Sequence, residues 1–544
     1  IICSDKTGTL TQNKMTVVEN KTPNEKLLAE AMALCSDAEI LEGKEEATGE
    51  PTEAALVNFA NKLGLPKYKL EKEAPRIGEA PFDSMRKMMS TVHKKNGKVI
   101  QYTKGACEIL LERCSNILNE NNEVVPMTEE LKEQIKEENK KYADKALRVL
   151  GACYREYDEE PNNFEPDNIE KDLTFIGFVG MIDPCRPEVY DAIDNCRKAG
   201  IRPIMITGDH IDTATAIGKD LKIIQSSNEA ITGAELDNIS DEELIKIVNT
   251  HSVFARVQPE HKTKIVRAVK SQDLVVAMTG DGVNDAPSIK AADIGVSMGI
   301  TGTDVTKGAS DMILADDNFA TIVNAVEEGR KIYDNIRKVL QFQLSTNTAE
   351  VIYVFLASVF GITIVTPAQL LWINMVTDST PGLALGMEKA EGDLMSRKPR
   401  KSNEGVFSNG AGLSTILHGI LMAIIVLVSF FIGQHIELGR YGIFESVDGM
   451  TMAFLTANLV EMFYAICMRT QKGSIFKMKT RNKWLTGSFI LSLIFTLGVI
   501  YIPALSKLFG LATISLTEFA VAFGLAFLVI PIVEIAKVFQ RKRA

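Results

Sequence analysis

The sequence predicts an α/β domain with a doubly wound, Rossmann-type parallel sheet, an α+β domain inserted into it, and an all-α bundle of six membrane helices. Short apolar runs that end in polar turns alternate with helical stretches before residue 340. About 160 residues separate the first run from the rest, which is too long for a loop and indicates an inserted domain. Beyond residue 340, long apolar runs dominate the chain.

The composition excludes some classes of function. With 544 residues, the chain is long enough for roughly three or four domains. The net charge is −10, and no basic stripe with interleaved aromatic residues occurs, so we expect no nucleic-acid partner. The eight cysteines form no CxxC pair, which favours reduced thiols over a disulfide framework.

The parallel sheet is predicted from six short apolar runs, with helices expected between them at 186–199, 212–221 and 259–270. Ligands of such sheets bind beyond the carboxyl ends of the strands, so the residues that follow each run are the candidates for chemistry. The runs are residues 1–3, 175–182, 203–206, 253–255, 274–278 and 294–296.

The segment CSDKTGTLT, residues 3–11, places Asp5 at the end of the first run. A carboxylate there can attack a phosphoryl group, because the backbone N–H groups of the turn and Lys6 can hold the phosphate oxygens. An acid two residues further on would activate water and make a fast phosphatase. That position holds Thr7, so we expect a long-lived aspartyl-phosphate on Asp5.

Two more polar segments follow later strands. Thr207 in the turn Thr207-Gly208-Asp209 can donate a hydrogen bond to a phosphoryl oxygen. Lys262, near the start of a predicted helix, can supply a cation for the developing charge. We expect Gly208 and Asp209 to complete this part of the catalytic edge.

The segment TGDGVND, residues 279–285, adds an acidic rim. Asp281 can hold Mg²⁺ between itself, Asp5 and the phosphate, and we expect Thr7 to contribute a ligand as well. Asn284 and Asp285 complete the rim. The chain has no GxxxxGK[ST] motif, which argues against a P-loop nucleotide site.

Six runs in the last 200 residues reach the length of a membrane span. Lys and Arg cluster before the first run, between alternate runs and at the end of the chain, which puts these connections and the catalytic part on the cytoplasmic side. We therefore predict a multi-pass membrane protein in contact with lipid. The runs are 342–361, 367–387, 411–433, 450–468, 484–503 and 515–536.

Six polar side chains within these runs are candidate ligands of a transported cation. A carboxylate in hydrocarbon costs several kcal/mol unless it is paired, neutralised or hydrated. Hard oxygen ligands suit Ca²⁺, and thiolates that would favour Cu or Zn are missing from the group. The alternative is three protonated acids that only join helices. The residues are Asn347, Glu350, Asn374, Thr377, Asp378 and Glu461.

The run after Asp378 also contains Pro381 and Gly382, which we expect to interrupt the second span. Backbone carbonyls freed by that interruption could add ligands to the cation site.

The motif around Asp5 resembles the phosphorylation motif of the P-type ATPases, and its order with TGD and TGDGVND resembles their haloacid-dehalogenase-like core. The segment LWINMVTD, residues 371–378, resembles the calcium-pump branch of sarcoplasmic-reticulum type. The resemblance implies ATP and Mg²⁺ as cofactors and Ca²⁺ transport in exchange for protons. It also implies that Glu350 and Glu461 serve one calcium site and Asn374 a second, with Asp378 shared.

The resemblance implies a nucleotide site, chiefly in the inserted domain. Physically, Phe82 can stack on adenine, Lys104 can line the pocket, and Arg148 can bridge phosphates, although each could equally be a core or surface residue. In the hinge segment DPCR, Cys185 stands where the family usually has proline. The nucleotide-binding candidates are Thr52, Glu53, Phe82, Lys104, Arg148 and Arg256.

The resulting organisation is a phosphorylation domain at 1–17 and 176–340 that includes a stalk helix, a nucleotide-binding domain at 18–175, and a membrane domain at 341–544. Because Ile1 already lies in a predicted strand, we expect the chain to be the C-terminal part of a longer pump. The missing part would hold the actuator domain and four membrane helices of the family.

The predicted function is a P-type ATPase that exports Ca²⁺, acts as a monomer and resides in a bacterial plasma membrane. A pump for Na⁺ or Mn²⁺ is an alternative within the same class. A membrane-tethered phosphatase and a non-transporting fragment are alternatives outside it. Thr7 and the carboxylates in the apolar runs argue against the phosphatase.

Overall fold

The structure is a computed structural model that describes residues 1–145, 147–401, 404–408 and 410–543. The chain divides into two compact units, Ile1–Val323 and Asn324–Ala544. The first unit contains two sheets, and the second is helical.

The first unit contains fifteen strands within the described residues. They are β1 (Ile2–Asp5), β2 (Thr16–Lys21), β3 (Arg76–Asp83), β4 (Met88–Lys95), β5 (Lys98–Gly105), β6 (Cys114–Leu118), β7 (Val124–Pro126), β8 (Arg148–Tyr157), β9 (Leu173–Ile182), β10 (Pro203–Ile206), β11 (Ala230–Thr232), β12 (Val253–Ala255), β13 (Ala277–Gly280), β14 (Ile294–Met298) and β15 (Met312–Leu314).

Thirteen helices accompany these strands in the same described part of the first unit. They are α1 (Glu25–Leu34), α2 (Pro51–Lys62), α3 (Lys67–Glu73), α4 (Cys107–Arg113), α5 (Glu129–Asp144), α6 (Pro166–Ile169), α7 (Pro187–Lys198), α8 (Ile211–Asp220), α9 (Gly233–Leu236), α10 (Asp241–Thr250), α11 (Pro259–Lys270), α12 (Ala286–Ala291) and α13 (Asp304–Ala309).

A seven-stranded parallel sheet has the order β11-β12-β10-β1-β13-β14-β15. Strand β1 lies at its centre, with Asp5 opposite Ile206 and Cys3 opposite Met278. The carboxyl ends of β1, β10 and β13 therefore lie side by side, as expected for a doubly wound sheet. The expected helices over 186–199, 212–221 and 259–270 are confirmed as α7, α8 and α11.

An eight-stranded mixed sheet has the order β3-β4-β5-β8-β9-β6-β7, and β2 also pairs with β9. We expected residues 175–182 to be a strand of the parallel sheet, and that expectation is wrong, because this run is part of β9 in the mixed sheet. Strand β9 is almost wholly buried, so its apolar pattern is the same in either sheet and could not assign it. The short edge strands β11 and β15 were not predicted.

Two chain segments connect the sheets and bond to one another. Gln12 N–H donates to the Pro184 carbonyl at 3.0 Å, and the Arg186 N–H donates to the Leu10 carbonyl at 3.0 Å. The Arg186 guanidinium donates to the carbonyls of Thr11 at 3.1 Å and of Gly8 at 3.0 Å. The segment that contains Cys185 is thus fixed directly to the turn after Asp5.

The helices of the second unit begin with the long helix Phe319–Phe360, whose first turn lies before the boundary at Val323. They are α14 (Phe319–Phe360), α15 (Pro367–Trp372), α16 (Ser379–Gly386), α17 (Ala411–Leu438), α18 (Val447–Cys467), α19 (Lys483–Tyr501), α20 (Pro503–Phe509), α21 (Leu516–Phe527) and α22 (Val529–Arg543).

Within the described residues, four helical segments are long and apolar enough to cross a membrane, namely Ala411–Leu438, Val447–Cys467, Lys483–Tyr501 and Leu516–Arg541. The first two predicted spans, 342–361 and 367–387, are largely helical, but neither lies in a helix that is both long and apolar enough to be counted with these four. Residues 342–361 form the end of α14 and the following turn, and residues 367–387 are divided between α15, a widened turn and α16.

Candidate functional site

Asp5 lies at the end of β1 and is held in place by three hydrogen bonds. Its Oδ2 accepts from Lys262 Nζ at 2.9 Å, and its Oδ1 accepts from the Lys6 N–H at 2.7 Å. The Asp5 N–H donates to Thr279 Oγ1 at 3.1 Å. Lys262 Nζ also donates to Asp285 Oδ1 at 2.8 Å, so a single ammonium joins the carboxylates that follow β1 and β13.

Burial and the main neighbouring charges shift the pKa in opposite directions for Asp5 and for Lys262, and in the same direction for Asp281. Burial raises the pKa of Asp5 above its usual range, and the Lys262 ammonium offsets this only in part. Burial alone would lower the pKa of Lys262, but Asp5 and Asp285 outweigh it and the pKa is raised. Burial, followed by the charges of Asp5 and Asp285, also raises the pKa of Asp281. The site is therefore rich in negative charge with one cation in its middle.

Asp5, Asp281 and Asp285 could together hold a metal ion, because a ligand oxygen from each lies within 4.8 Å of the others. An all-oxygen set of carboxylates is the donor chemistry that Mg²⁺ prefers. Gly280 permits the approach, since a Cβ there would lie 2.4 Å from the Asp285 Cβ. These residues fit Mg²⁺, which when bound would neutralise charge on a phosphoryl group as a Lewis acid.

The turn after β10 faces Lys6. Lys6 Nζ forms an ion pair with Asp209 Oδ2 at 2.7 Å, and Lys6 is buried. The Thr207 hydroxyl oxygen accepts from the Asp209 N–H at 3.1 Å, which orients it at the sheet edge. A Cβ on Gly208 would meet nothing within 4 Å, so the space beside this turn is open.

Two predicted site residues lie at the surface. Thr7 is exposed in the kinked turn from Lys6 to Leu10, and Asn284 is exposed in the short helical turn after β13. Thr7 is close in sequence to Asp5, and Asn284 is next to Asp285. Neither forms part of the hydrogen-bonded network around Lys262 among the described residues.

Sequence reasoning assigned no role to two features of this site. Thr279 Oγ1 accepts from the Asp5 N–H, which joins β13 to β1 at the reactive end. Asp183 accepts hydrogen bonds from Thr11 Oγ1 and, at 3.0 Å, from the Lys14 N–H. The signals were available, because Thr279 begins the acidic rim and Asp183 begins the hinge segment.

Part of the predicted nucleotide site is assembled in the first unit. Lys104 is only 6% exposed, and its ammonium is paired inside the protein. Its Nζ contacts Glu53 Oε1 at 2.5 Å and Ser36 Oγ at 2.9 Å. Glu53 also accepts from the Asp37 N–H at 2.8 Å. Thr52 is buried and donates to Glu50 Oε1 at 3.0 Å. Ser36, which sequence reasoning missed, therefore belongs to the same polar group.

The remaining three nucleotide candidates are exposed. Phe82 lies at the end of β3 with 62% of its surface exposed, and Arg148 begins β8. Strands β3, β4, β5 and β8 are consecutive in the mixed sheet, so Lys104 and Arg148 lie on neighbouring strands and Phe82 lies two strands away from Lys104. Arg256 lies elsewhere, after β12 of the parallel sheet, where its N–H donates to the Asp209 carbonyl at 2.9 Å.

In the second unit, the predicted cation ligands form pairs between helices. Asn374 Nδ2 donates to the Glu350 carboxylate at 3.1 and 3.2 Å. Thr377 Oγ1 donates to Glu461 Oε2 at 2.8 Å. The buried Asp378 accepts from Thr346 Oγ1 at 3.2 Å, and its other oxygen has no hydrogen-bond partner among the described residues.

The chain around Asp378 is a widened helical turn, Ile373–Asp378, between α15 and α16. Such turns leave carbonyls free of the regular helical pattern. We expected the break at Pro381 and Gly382, and that placement is wrong, because both lie inside α16. The proline acts one turn earlier, where its missing N–H and its ring disturb the preceding helix.

Asn347 does not join this group in the structure. It is exposed on α14, whereas the preceding residue, Thr346, is buried and contacts Asp378. Thr346 was not predicted, and its signal was its position one helical turn before Glu350.

Two family profiles match the chain. Residues 24–188 match "P-type ATPase, cytoplasmic domain N", and residues 362–539 match "Cation transporting ATPase, C-terminus". The chain belongs to the cation-transporting P-type ATPases.

Relatives within that class carry the name calcium-transporting ATPase. The chain is 44% identical over 567 residues to Calcium-transporting ATPase 1 of Bacillus cereus, covering 99% of this chain and 63% of the relative. It is 41% identical over 562 residues to a calcium-transporting ATPase of Listeria monocytogenes, covering 100% and 62%. It is 33% identical over 635 residues to Calcium-transporting ATPase 3, endoplasmic reticulum-type, of Arabidopsis thaliana, covering 99% and 63%.

The chain therefore spans somewhat less than two thirds of the length of these relatives.

Proposed function

We propose that this chain carries the catalytic and cation-binding parts of an ATP-driven pump that exports Ca²⁺ from the cytoplasm through an aspartyl-phosphate on Asp5. The observation that carries the proposal is the arrangement of Asp5, Lys262 and Asp285 at the end of the central strand. The relatives' name supports Ca²⁺ as the cargo.

The proposed step is transfer of the terminal phosphoryl group of ATP to an Asp5 carboxylate oxygen. A bond forms between that oxygen and the γ-phosphorus, the bond from the γ-phosphorus to the bridging oxygen breaks, and ADP leaves. Lys262 stabilises charge on the transferred group, because its ammonium is already within hydrogen-bond distance of Asp5. Thr7 supplies no carboxylate that could remove a proton from an attacking water, so the intermediate persists.

The proposed nucleotide site pairs the polar group around Lys104 and Glu53 with the exposed ring of Phe82. The ring is open to solvent, which suits stacking on a base. Arg148 would contact phosphate from a neighbouring strand, and Arg256 would act beside Asp209 at the phosphorylation edge.

Ca²⁺ is the cation that the second unit fits best. Glu350, Asp378 and Glu461 supply hard carboxylate oxygens, and Asn374 and Thr377 add neutral oxygens at the same place. We propose that protons return on the same carboxylates. We also propose a bacterial plasma-membrane location with the first unit in the cytoplasm, and a monomeric pump whose nucleotide-binding domain includes all of β9, up to Ile182, rather than ending at residue 175.

The test of the chemistry is the labelling of the protein, in vesicles, with γ-³²P-ATP and Mg²⁺ in the presence and absence of Ca²⁺. We expect an acid-stable, hydroxylamine-labile label that requires Ca²⁺ and is absent from Asp5→Asn. Asp191→Asn is the matched control, since Asp191 is exposed on α7 and belongs to none of the predicted sites, and it should retain the label. A label that persists in Asp5→Asn contradicts the proposal.

The same assay tests the cation. A label that responds to Na⁺ or Mn²⁺ but not to Ca²⁺ would replace the calcium assignment and leave the class intact. Rapid hydrolysis of small phosphomonoesters that depends on Asp5, with no cation dependence, would instead indicate a tethered phosphatase.

A further inference from the structure

A basic cavity lies in the second unit where several apolar helices end. It has a volume of about 420 Å³ and is formed by the connection from α18 to α19, by residues after α16, and by the end of α22. Lys477, Lys479 and Arg541 line it, and Glu391 is the acidic residue in the lining. The volume is in the range of cavities that hold small ligands.

The negative charge of Glu391 is already engaged. Its Oε1 pairs with Lys338 Nζ at 2.6 Å, and its Oε2 accepts from Thr470 Oγ1 at 2.5 Å. The ammonium groups of Lys477 and Lys479 have no ion-pair partner within the described part of the chain. The cavity therefore presents uncompensated positive charge, with the hydroxyl groups of Ser474 and Thr480 beside it.

The surroundings of the cavity indicate where its ligand comes from. Phe476, between lining residues, is 76% exposed, and Trp484, one residue into α19, is 66% exposed. Exposed aromatic rings flanked by lysines at the end of an apolar helix are typical of the boundary between membrane and water. A ligand that reaches this cavity along the helices would be a lipid.

We propose that this cavity binds the phosphate group of an anionic phospholipid headgroup. Lys477 and Lys479 supply the charge, Ser474 and Thr480 donate to the phosphate oxygens, and the lipid chains follow the exposed apolar faces of α19 and α22. The proposal does not depend on ATP hydrolysis or on the identity of the transported cation.

The test uses the two tryptophans of the chain. In a Trp372→Phe background, Trp484 is the reporter, and lipids with brominated chains quench its fluorescence when they bind nearby. The protein is placed in phosphatidylcholine vesicles that contain either brominated phosphatidylglycerol or brominated phosphatidylcholine. We expect stronger quenching by phosphatidylglycerol than by phosphatidylcholine. The relative affinity for phosphatidylglycerol obtained from the quenching should fall about 25-fold in K477Q/K479Q, or about 5-fold per lysine.

The matched control is K472Q/K483Q, which removes the same charge from the connection and from the first residue of α19 without altering the lining of the cavity. This control should keep the preference, and K477R/K479R should keep most of it. An equal loss in K472Q/K483Q would mean general attraction to an anionic surface and would overturn the proposal. Equal quenching by both lipids in the parent would also overturn it.

A third arm distinguishes the sources of phosphate. Added inorganic phosphate should leave the quenching unchanged at constant ionic strength. If it abolishes the preference, the ligand is free phosphate and the assignment to lipid is wrong.

Discussion

Replacement of Lys262 by methionine tests the electrostatic account of the phosphorylation site. Lys262 Nζ lies 2.9 Å from Asp5 Oδ2 and 2.8 Å from Asp285 Oδ1, and the three side chains are 10%, 18% and 7% exposed. Methionine keeps most of the volume and removes the charge. Breaking a buried pair costs about 3–5 kcal/mol, and we expect about 2 kcal/mol because Asp5 retains some contact with water.

The loss of stability in Lys262→Met depends on pH in a defined direction. Burial already raises the pKa of Asp5, and loss of Lys262 removes the main influence that lowers it, so the pKa rises further. The repulsion between the Asp5 carboxylate and its neighbours is present above the raised pKa of Asp5 and is relieved as the pH falls through it. The deficit in stability should therefore be largest near neutral pH and shrink at acidic pH.

The assay is thermal unfolding of the parent and variants at roughly pH 7.5 and about pH 5. A deficit of about 2 kcal/mol should lower the unfolding temperature by about 4–8 °C at the higher pH. Lys264→Met is the matched control, since Lys264 is exposed on the same helix and should change nothing. Adding Asp285→Asn to Lys262→Met should restore part of the loss. Equal unfolding temperatures for Lys262→Met and Lys264→Met near neutral pH would refute the reasoning.

Three further outcomes are expected. Thr7→Asp should shorten the lifetime of the phosphorylated protein about 100-fold or more, because an acid there can activate water; an unchanged decay of ³²P label would contradict this. Gly280→Ala should displace Asp285, since the new Cβ would lie 2.4 Å from the Asp285 Cβ, and Mg²⁺-dependent labelling should fall about 10-fold or more. Gly308→Ala on α13, where a new Cβ would meet nothing within 4 Å, should label normally. Phe82→Ala should raise the KM for ATP about 10-fold without lowering the unfolding temperature, because the ring is 62% exposed; a folding defect would mean that Phe82 is a core residue.

Some of the fold could be predicted because it depends on local pattern. Helices α7, α8 and α11 and strands β10 and β12 lie where the sequence predicts them. Strand β9 could not be assigned to its sheet, because a run that is buried on both faces looks the same in either. The widened turn at residues 373–378 was misplaced because a proline disturbs the turn before it, not the turn that contains it.

In the candidate site, too, some features could be predicted from the sequence and others could not. Its residue types and their order along the chain are properties of the sequence, and these sufficed to predict the class and the carboxylates that a phosphoryl group and a cation require. Which groups meet is a property of the tertiary structure. Lys262 lies between Asp5 and Asp285, Lys6 turns to Asp209, and Thr346 rather than Asn347 reaches Asp378.

The sequence by itself therefore determined the chemistry that is available, and only the tertiary structure decided the pairing. The physical reason is that ion pairs and hydrogen bonds act over a few ångströms, whereas their partners here lie 23 to 257 residues apart in the chain.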